Sequence, residues 1–191
     1  MNTILRTGAA VMALLALTGC PETSVGPDFG YKFPVLSPSD WNGVWKASND
    51  DTASRFQVSD AKHGQITITS VPGSKTKKSG DEKPALLTLH VASTKKNGNL
   101  YFATIVESGD RSDKLTPFLV HRLDKDSFVF WTINNGAVEK AIKSGKLKGR
   151  VKPDKDGAHS RLNSDPENYS VLAQPQFWDW TNPTLMNRQK K

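Results

Sequence analysis

Residues Ser127–Ile133 read SFVFWTI, a run without glycine, proline or a charged residue. Its β-branched and aromatic content predicts a strand. Successive side chains of a strand point to opposite faces, so Phe128 and Phe130 share one side and Val129, Trp131 and Ile133 the other. Both sides are apolar. Such a strand is covered twice, once by the interior of its own sheet and once by an outer layer. The segment that follows can supply that layer. Asn135 is placed to cap a helix in which Ala137, Val138, Ala141 and Ile142 form one apolar face. Lys140 and Lys143 fall near its negative end, and Gly145 ends it. A helix packed on the outside of a curved sheet follows.

Upstream, short alternating runs separated by turn residues continue the pattern, over 41–47, 53–59, 65–71, 85–93, 99–107 and 115–123, with another over 146–152 beyond the helix. Asn97-Gly98 suits a tight hairpin because both central positions of a type I′ turn need positive φ. Asp124-Lys125-Asp126 marks a second reversal. Consecutive strands therefore pair antiparallel. Ser164-Asp165-Pro166-Glu167 has the Ser-x-x-Glu form of a capping box and opens a second short helix that stops before Pro175.

The chain has 191 residues, with 26 Lys and Arg against 19 Asp and Glu. That length suits one core, placed at 41–191 as a single β-rich domain with a C-terminal helix and tail. The positive excess suits an anionic surface such as phospholipid or an envelope polymer, and equally an ordinary soluble surface.

At the other end, Met1–Arg6 carries one charge and Ala9–Leu17 is uninterruptedly apolar. This is the n-region and h-region of an export signal, shorter than the roughly 20 apolar residues that cross a bilayer. Leu17-Thr18-Gly19-Cys20 resembles the lipobox of bacterial lipoproteins. The resemblance implies cleavage after residue 19, diacylglycerol on the Cys20 thiol and an acylated new amine. It also implies an outer-membrane, periplasm-facing address, because Pro21 and not Asp follows the cysteine; a Gram-positive surface stays open. Each buried acyl methylene contributes about 0.8 kcal/mol, so two or three chains hold where one does not. Cys20 is the chain's single cysteine. Disulfides, cysteine metal sites and thiol nucleophiles are thereby excluded. Residues 20–40, with Pro21, Pro27, Pro34 and Pro38, read as the acylated cysteine and a tether, although Phe29, Tyr31 and Phe33 alternate as a docking strip would.

Gly43-Val44-Trp45 resembles the Gly-x-Trp of lipocalin-type barrels. The resemblance implies a tryptophan that closes one barrel end against a basic residue from a late strand, with Arg150 the candidate partner of Trp45. The stretches FVFWTINNGAVEKAIKSGKLKGRV (Phe128–Val151) and NSDPENYSVLA (Asn163–Ala173) are similar to the C-terminal half of a loose class of uncharacterised bacterial lipoproteins. The expected fold is mainly β, an antiparallel meander or lipocalin-like barrel of about eight strands with two short helices.

Catalytic signatures are lacking: there is no Gly-x-Ser-x-Gly, no His-Glu-x-x-His and no phosphate loop. No enzyme activity, cofactor or metal is expected. His63, His90, His121 and His159 are scattered, with His90 and His121 in candidate strands where they could face each other. Glu107, Asp110 and Asp113 read as a solvated turn because Arg111 and Lys114 interleave them. Asn168-Tyr169-Ser170 has the form of a glycosylation sequon. Lys75, Lys77, Lys78, Lys83, Lys95 and Lys96 form a candidate basic rim for anionic lipid headgroups, or serve solubility alone. Phe177, Trp178 and Trp180 read as a seal or a partner surface. Two functions follow for a membrane-anchored lipoprotein that contacts no nucleic acid. One is a lipocalin-like module holding a small apolar or amphipathic ligand; the other is a structural or protein-interaction module with a solid core.

Overall fold

The computed structural model describes residues 22–48, 53–71, 84–92, 99–107, 114–154 and 157–190. Eight strands close into an antiparallel barrel: β2 (Gly43–Ala47), β3 (Ala53–Asp60), β4 (Gln65–Val71), β5 (Ala85–Val91), β6 (Leu100–Glu107), β7 (Pro117–Arg122), β8 (Ser127–Thr132) and β11 (Thr184–Arg188). From β2 to β8 each strand pairs with the next, as the turn residues require. β11 then fills the gap between β8 and β2, pairing Met186 with Phe128 on one side and with Ala47 on the other. Closure leaves no barrel edge exposed to another chain.

Alternation decides which side chains enter the barrel. Trp45, Phe56, Ile66, Leu87, Tyr101 and Phe128 belong to the inner cluster, whereas Phe102, Leu119, Val129 and Trp131 belong to a second cluster outside the wall. β8 is therefore buried on both faces, as its composition requires.

The outer layer comprises α2 (Asn135–Lys143), β9 (Gly149–Asp154), β10 (Gly157–Leu162), α3 (Pro166–Leu172) and a 3-10 turn at Pro175–Phe177. β9 and β10 form a hairpin, and β1 (Glu22–Ser24) adds to it in parallel to complete a three-stranded sheet. The strand expected over 146–152 is thus β9 of this separate sheet, and the eighth barrel strand comes from the basic tail. The reason is topological. The chain leaves the barrel after β8 to build the outer layer and returns only at Thr184.

Residues 22–40, read as a tether or a docking strip, lie against the domain. Val25 exchanges backbone hydrogen bonds with Leu115, and Val91 with Tyr31 and Lys32. Phe29 is buried against Phe102 and Tyr169. Trp41, expected to open the first strand, instead ends α1 (Pro38–Trp41), a single turn with proline in its first positions. The helix caps shift by one residue from expectation. Asn134, not Asn135, caps α2 by accepting from the Ala137 amide at 3.1 Å, and Asp165, not Ser164, caps α3 by accepting from the Glu167 amide at 2.8 Å.

Candidate functional site

The barrel interior is the first place a small ligand could sit. A cavity of about 30 Å³ lies there, lined by Phe56, Leu87, Ala103, Phe118, Phe130 and Met186 among other apolar side chains. That volume is the size of a water molecule, whereas small-molecule sites run to several hundred Å³. Tilted aromatic pairs pack inside the barrel: Phe128 lies 5.0 Å from Trp45, 5.6 Å from Trp41 and 5.8 Å from Phe56, centre to centre.

One end of the barrel is closed by two arginine–tryptophan pairs. The Trp45 indole nitrogen donates to the Trp41 carbonyl at 2.9 Å. The guanidinium over Trp45, at 4.8 Å, is that of Arg188 on β11. Arg150, the expected partner, is exposed on β9 outside the barrel, so the Trp45–Arg150 closure is corrected to Trp45–Arg188. The late barrel strand that carries the cation is β11. Arg188 also donates to the carbonyls of Ser39, at 3.0 Å, and Asp40, and so clamps α1 across the end. Arg122 stands over Trp41 at 5.0 Å, with Asp40 at 3.7 Å, and its Nε donates to the Asp124 carbonyl at 2.8 Å. Burial pushes the neighbouring Tyr101 phenol up, opposed in part by the Arg122 charge. Outside this plug lies a cleft of about 320 Å³ bordered by Val35, Leu36, Asp40, Trp41, Tyr101 and Arg122.

The histidines do not converge. β6 separates β5 from β7, so His90 and His121 are not on adjacent strands. His90 points outward from β5 under residues 27–33, and its Nε2 donates to the Pro27 carbonyl at 3.2 Å. Burial pushes its pKa below the ordinary value, against the opposing effects of that hydrogen bond and of Asp28. His121 is exposed. No cluster of three or more His, Cys, Asp or Glu suited to a metal occurs among the described residues. Asn168 is 1 % exposed, and its side chain joins Lys148 and Asn163 through three backbone hydrogen bonds, so a sequon here has no accessible amide in the folded domain.

Phe177 and Trp178 are buried in the outer cluster, where Trp178 stacks on Phe102 at 6.0 Å; they seal the outer layer and not the barrel. Trp180 stays 43 % exposed.

The described basic surface lies elsewhere. In the β1–β10–β9 sheet, His159 pairs with Lys152 and with Glu22, and Arg161 pairs with Arg150 and with Ser24. Thr23, Ser160 and Leu162, the residues of opposite parity, are buried. The solvent face therefore carries Arg150, Lys152, His159 and Arg161 together, with Glu22 at its edge. This cluster was present in the sequence as two alternating pairs, but nothing local shows that the pairs share a face.

Cys20 and residues 1–19 lie outside the described residues, as do Asn97, Gly98, Asp110, Asp113 and the lysines Lys75, Lys77, Lys78, Lys83, Lys95 and Lys96. The described residues flanking the first four lysines, Val71 and Pro84, are at the barrel end that also holds Leu115. Ala92 and Asn99, which flank the other two, are at the Arg122 end. No helix among the described residues is long and apolar enough to cross a membrane. No protein-family model, curated protein or solved structure matches this chain.

Proposed function

We propose that this chain is a lipid-anchored lipoprotein of the cell envelope, non-catalytic, in which the barrel is a solid scaffold and the outer surfaces make the contacts. The observation that carries the scaffold reading is the small size of the cavity inside the barrel, about 30 Å³, against the several hundred Å³ of small-molecule sites. The lipobox-like Leu17-Thr18-Gly19-Cys20 supports the anchor, with the outer membrane facing the periplasm as its site. Of the two functions that the sequence leaves open, the structural or protein-interaction one fits a filled barrel. A small-ligand reading is supported by the cleft beside Trp41 and Tyr101, whose volume of about 320 Å³ reaches the range of small-molecule sites.

Mass spectrometry of the exported protein tests both halves. The anchor reading expects a mature chain that begins at Cys20 and carries acyl mass, abolished by Cys20→Ser. An unmodified Cys20 on an exported chain overturns it. The scaffold reading expects no co-purifying small molecule in native spectra. A stoichiometric ligand retained by wild type and lost in Trp41→Ala moves the function to the cleft.

A further inference from the structure

The solvent face of the β1–β10–β9 sheet sets basic residues in register. Lys152 stands directly opposite His159, and Arg150 directly opposite Arg161. Cross-strand like charges weaken a sheet pair. Thr23, Ser160 and Leu162 on the inner face are buried. Glu22, in the same register, has its carboxylate 3.9 Å from His159 Nδ1 and accepts from the Thr116 hydroxyl at 3.2 Å, and Asp154 ends β9 opposite Gly157. An anionic plane laid against this face is complementary to Arg150, Lys152 and Arg161.

The position of β1 says where such a plane would be. Glu22, the first residue of β1, is two positions from Cys20, and two residues of chain reach at most about 7 Å. An acyl anchor on Cys20 therefore brings the edge of this sheet to headgroup level with no free linker between them. We infer that the solvent face of the β1–β10–β9 sheet is the membrane-contact surface of the protein and rests on the anionic phospholipid headgroups of the leaflet that holds the anchor. This rests on the lipoprotein reading for the anchor, but the face itself is tested without it. Anchoring makes the contact intramolecular in effect, so weak ionic attraction suffices to set the orientation. Each Lys or Arg near an anionic surface contributes roughly fivefold in partitioning.

The test uses the mature chain from residue 20 with Cys20→Ser, so that no acyl chain contributes, mixed with vesicles of phosphatidylglycerol and phosphatidylethanolamine or of phosphatidylcholine alone. Sedimentation is expected with the anionic vesicles only and is suppressed by salt. The Arg150→Glu/Lys152→Glu chain is expected to bind at least about 25-fold more weakly. The milder Arg150→Gln/Lys152→Gln chain, which adds no acid to the sheet, is expected to lose a smaller factor in the same direction. Lys62→Glu/Lys125→Glu makes the same change of net charge at the opposite barrel end and is expected to change binding by less than about threefold. Equal losses from both reversed pairs, no vesicle binding by the parent chain, or capture by soluble dextran sulfate with no vesicle binding each overturn the proposal. Acylation of wild-type Cys20 is read separately by mass. An acylated chain whose Cys20→Ser form ignores vesicles refutes the face and leaves the anchor; an unacylated chain whose sheet binds vesicles does the reverse.

Discussion

The Arg188 guanidinium lies 4.8 Å from the centre of the Trp45 ring and reaches past it to the carbonyls of Ser39 and Asp40. One side chain from the last strand thus ties the first barrel strand to the helical turn that plugs the end. A partly buried cation–π contact contributes about 1–2 kcal/mol and a charged hydrogen bond about 1.5–3 kcal/mol. Arg188→Ala is expected to lower the unfolding free energy by about 3 kcal/mol. Arg188→Lys keeps the charge but not the planar fork and should recover less than half of it. Arg150→Ala, at an exposed site, is expected to stay within about 0.5 kcal/mol. Urea unfolding of the three chains, followed by tryptophan fluorescence, checks the assignment; equal effects at 150 and 188 would refute it.

Gly30 has φ +138°, and a Cβ built there would come 2.2 Å from the His90 Cβ. Strain and overlap together should make Gly30→Ala cost about 3 kcal/mol. His90→Ala cannot relieve this, because the atom struck is the Cβ that alanine retains. Thermal melts of Gly30→Ala and the double variant are expected to be similarly depressed, whereas rescue by His90→Ala would mean that the ring sets the limit.

His90 also gives the fold a pH dependence. Its folded pKa lies below the unfolded value of 6.5 because burial disfavours the imidazolium. The unfolded chain therefore binds more protons below that pH, and stability present above it is lost as the pH falls through 6.5 toward the folded pKa. The slope from this one group reaches at most about 1.4 kcal/mol per pH unit. Urea midpoints should fall on acidification over that window and fall less in His90→Gln. Parallel slopes in the two chains would assign the loss to other groups.

Asn168 accepts from the Lys148 amide at 2.7 Å and donates to the carbonyls of Lys148, at 2.7 Å, and Asn163, at 2.9 Å. These bonds hold α3 to the residues that flank the β9–β10 hairpin. Truncation leaves buried backbone groups unpaired, so Asn168→Ala is expected to cost about 3 kcal/mol. Asn168→Asp keeps the acceptor but loses the two donated bonds and buries a charge, so it should be no better. Hydrogen exchange of the 148–163 backbone checks the location of the damage. Unchanged protection there would sink the idea that Asn168 is the local tie.

Much of the barrel was legible because its information is local. Strands β3 to β8 lie close to their expected bounds, and the double apolar faces of Ser127–Ile133 foretold an outer layer. The misses share a cause. β1 is Glu-Thr-Ser, β10 is polar except near its ends, and β11 sends only Met186 deep into the barrel. Nothing in those side chains favours a strand over a loop. Each becomes a strand because an existing edge offers unpaired backbone groups, and satisfying buried backbone is obligatory. Trp45 was readable as a barrel-closing residue from its tripeptide, but its partner was not, since Arg188 is one cation in a basic tail.

By itself the sequence determined the alternation that splits inside from outside, the turns that make neighbours antiparallel, and the apolar excess of β8 that demands two covers. These depend on periodicity and on backbone preference over a few residues. The tertiary structure alone decided which strand closes the barrel, that residues 22–40 dock, and that Arg150, Lys152, His159 and Arg161 meet on one face. Closure and packing depend on contacts between segments far apart in the chain, and side-chain volumes fill a barrel only in a particular register.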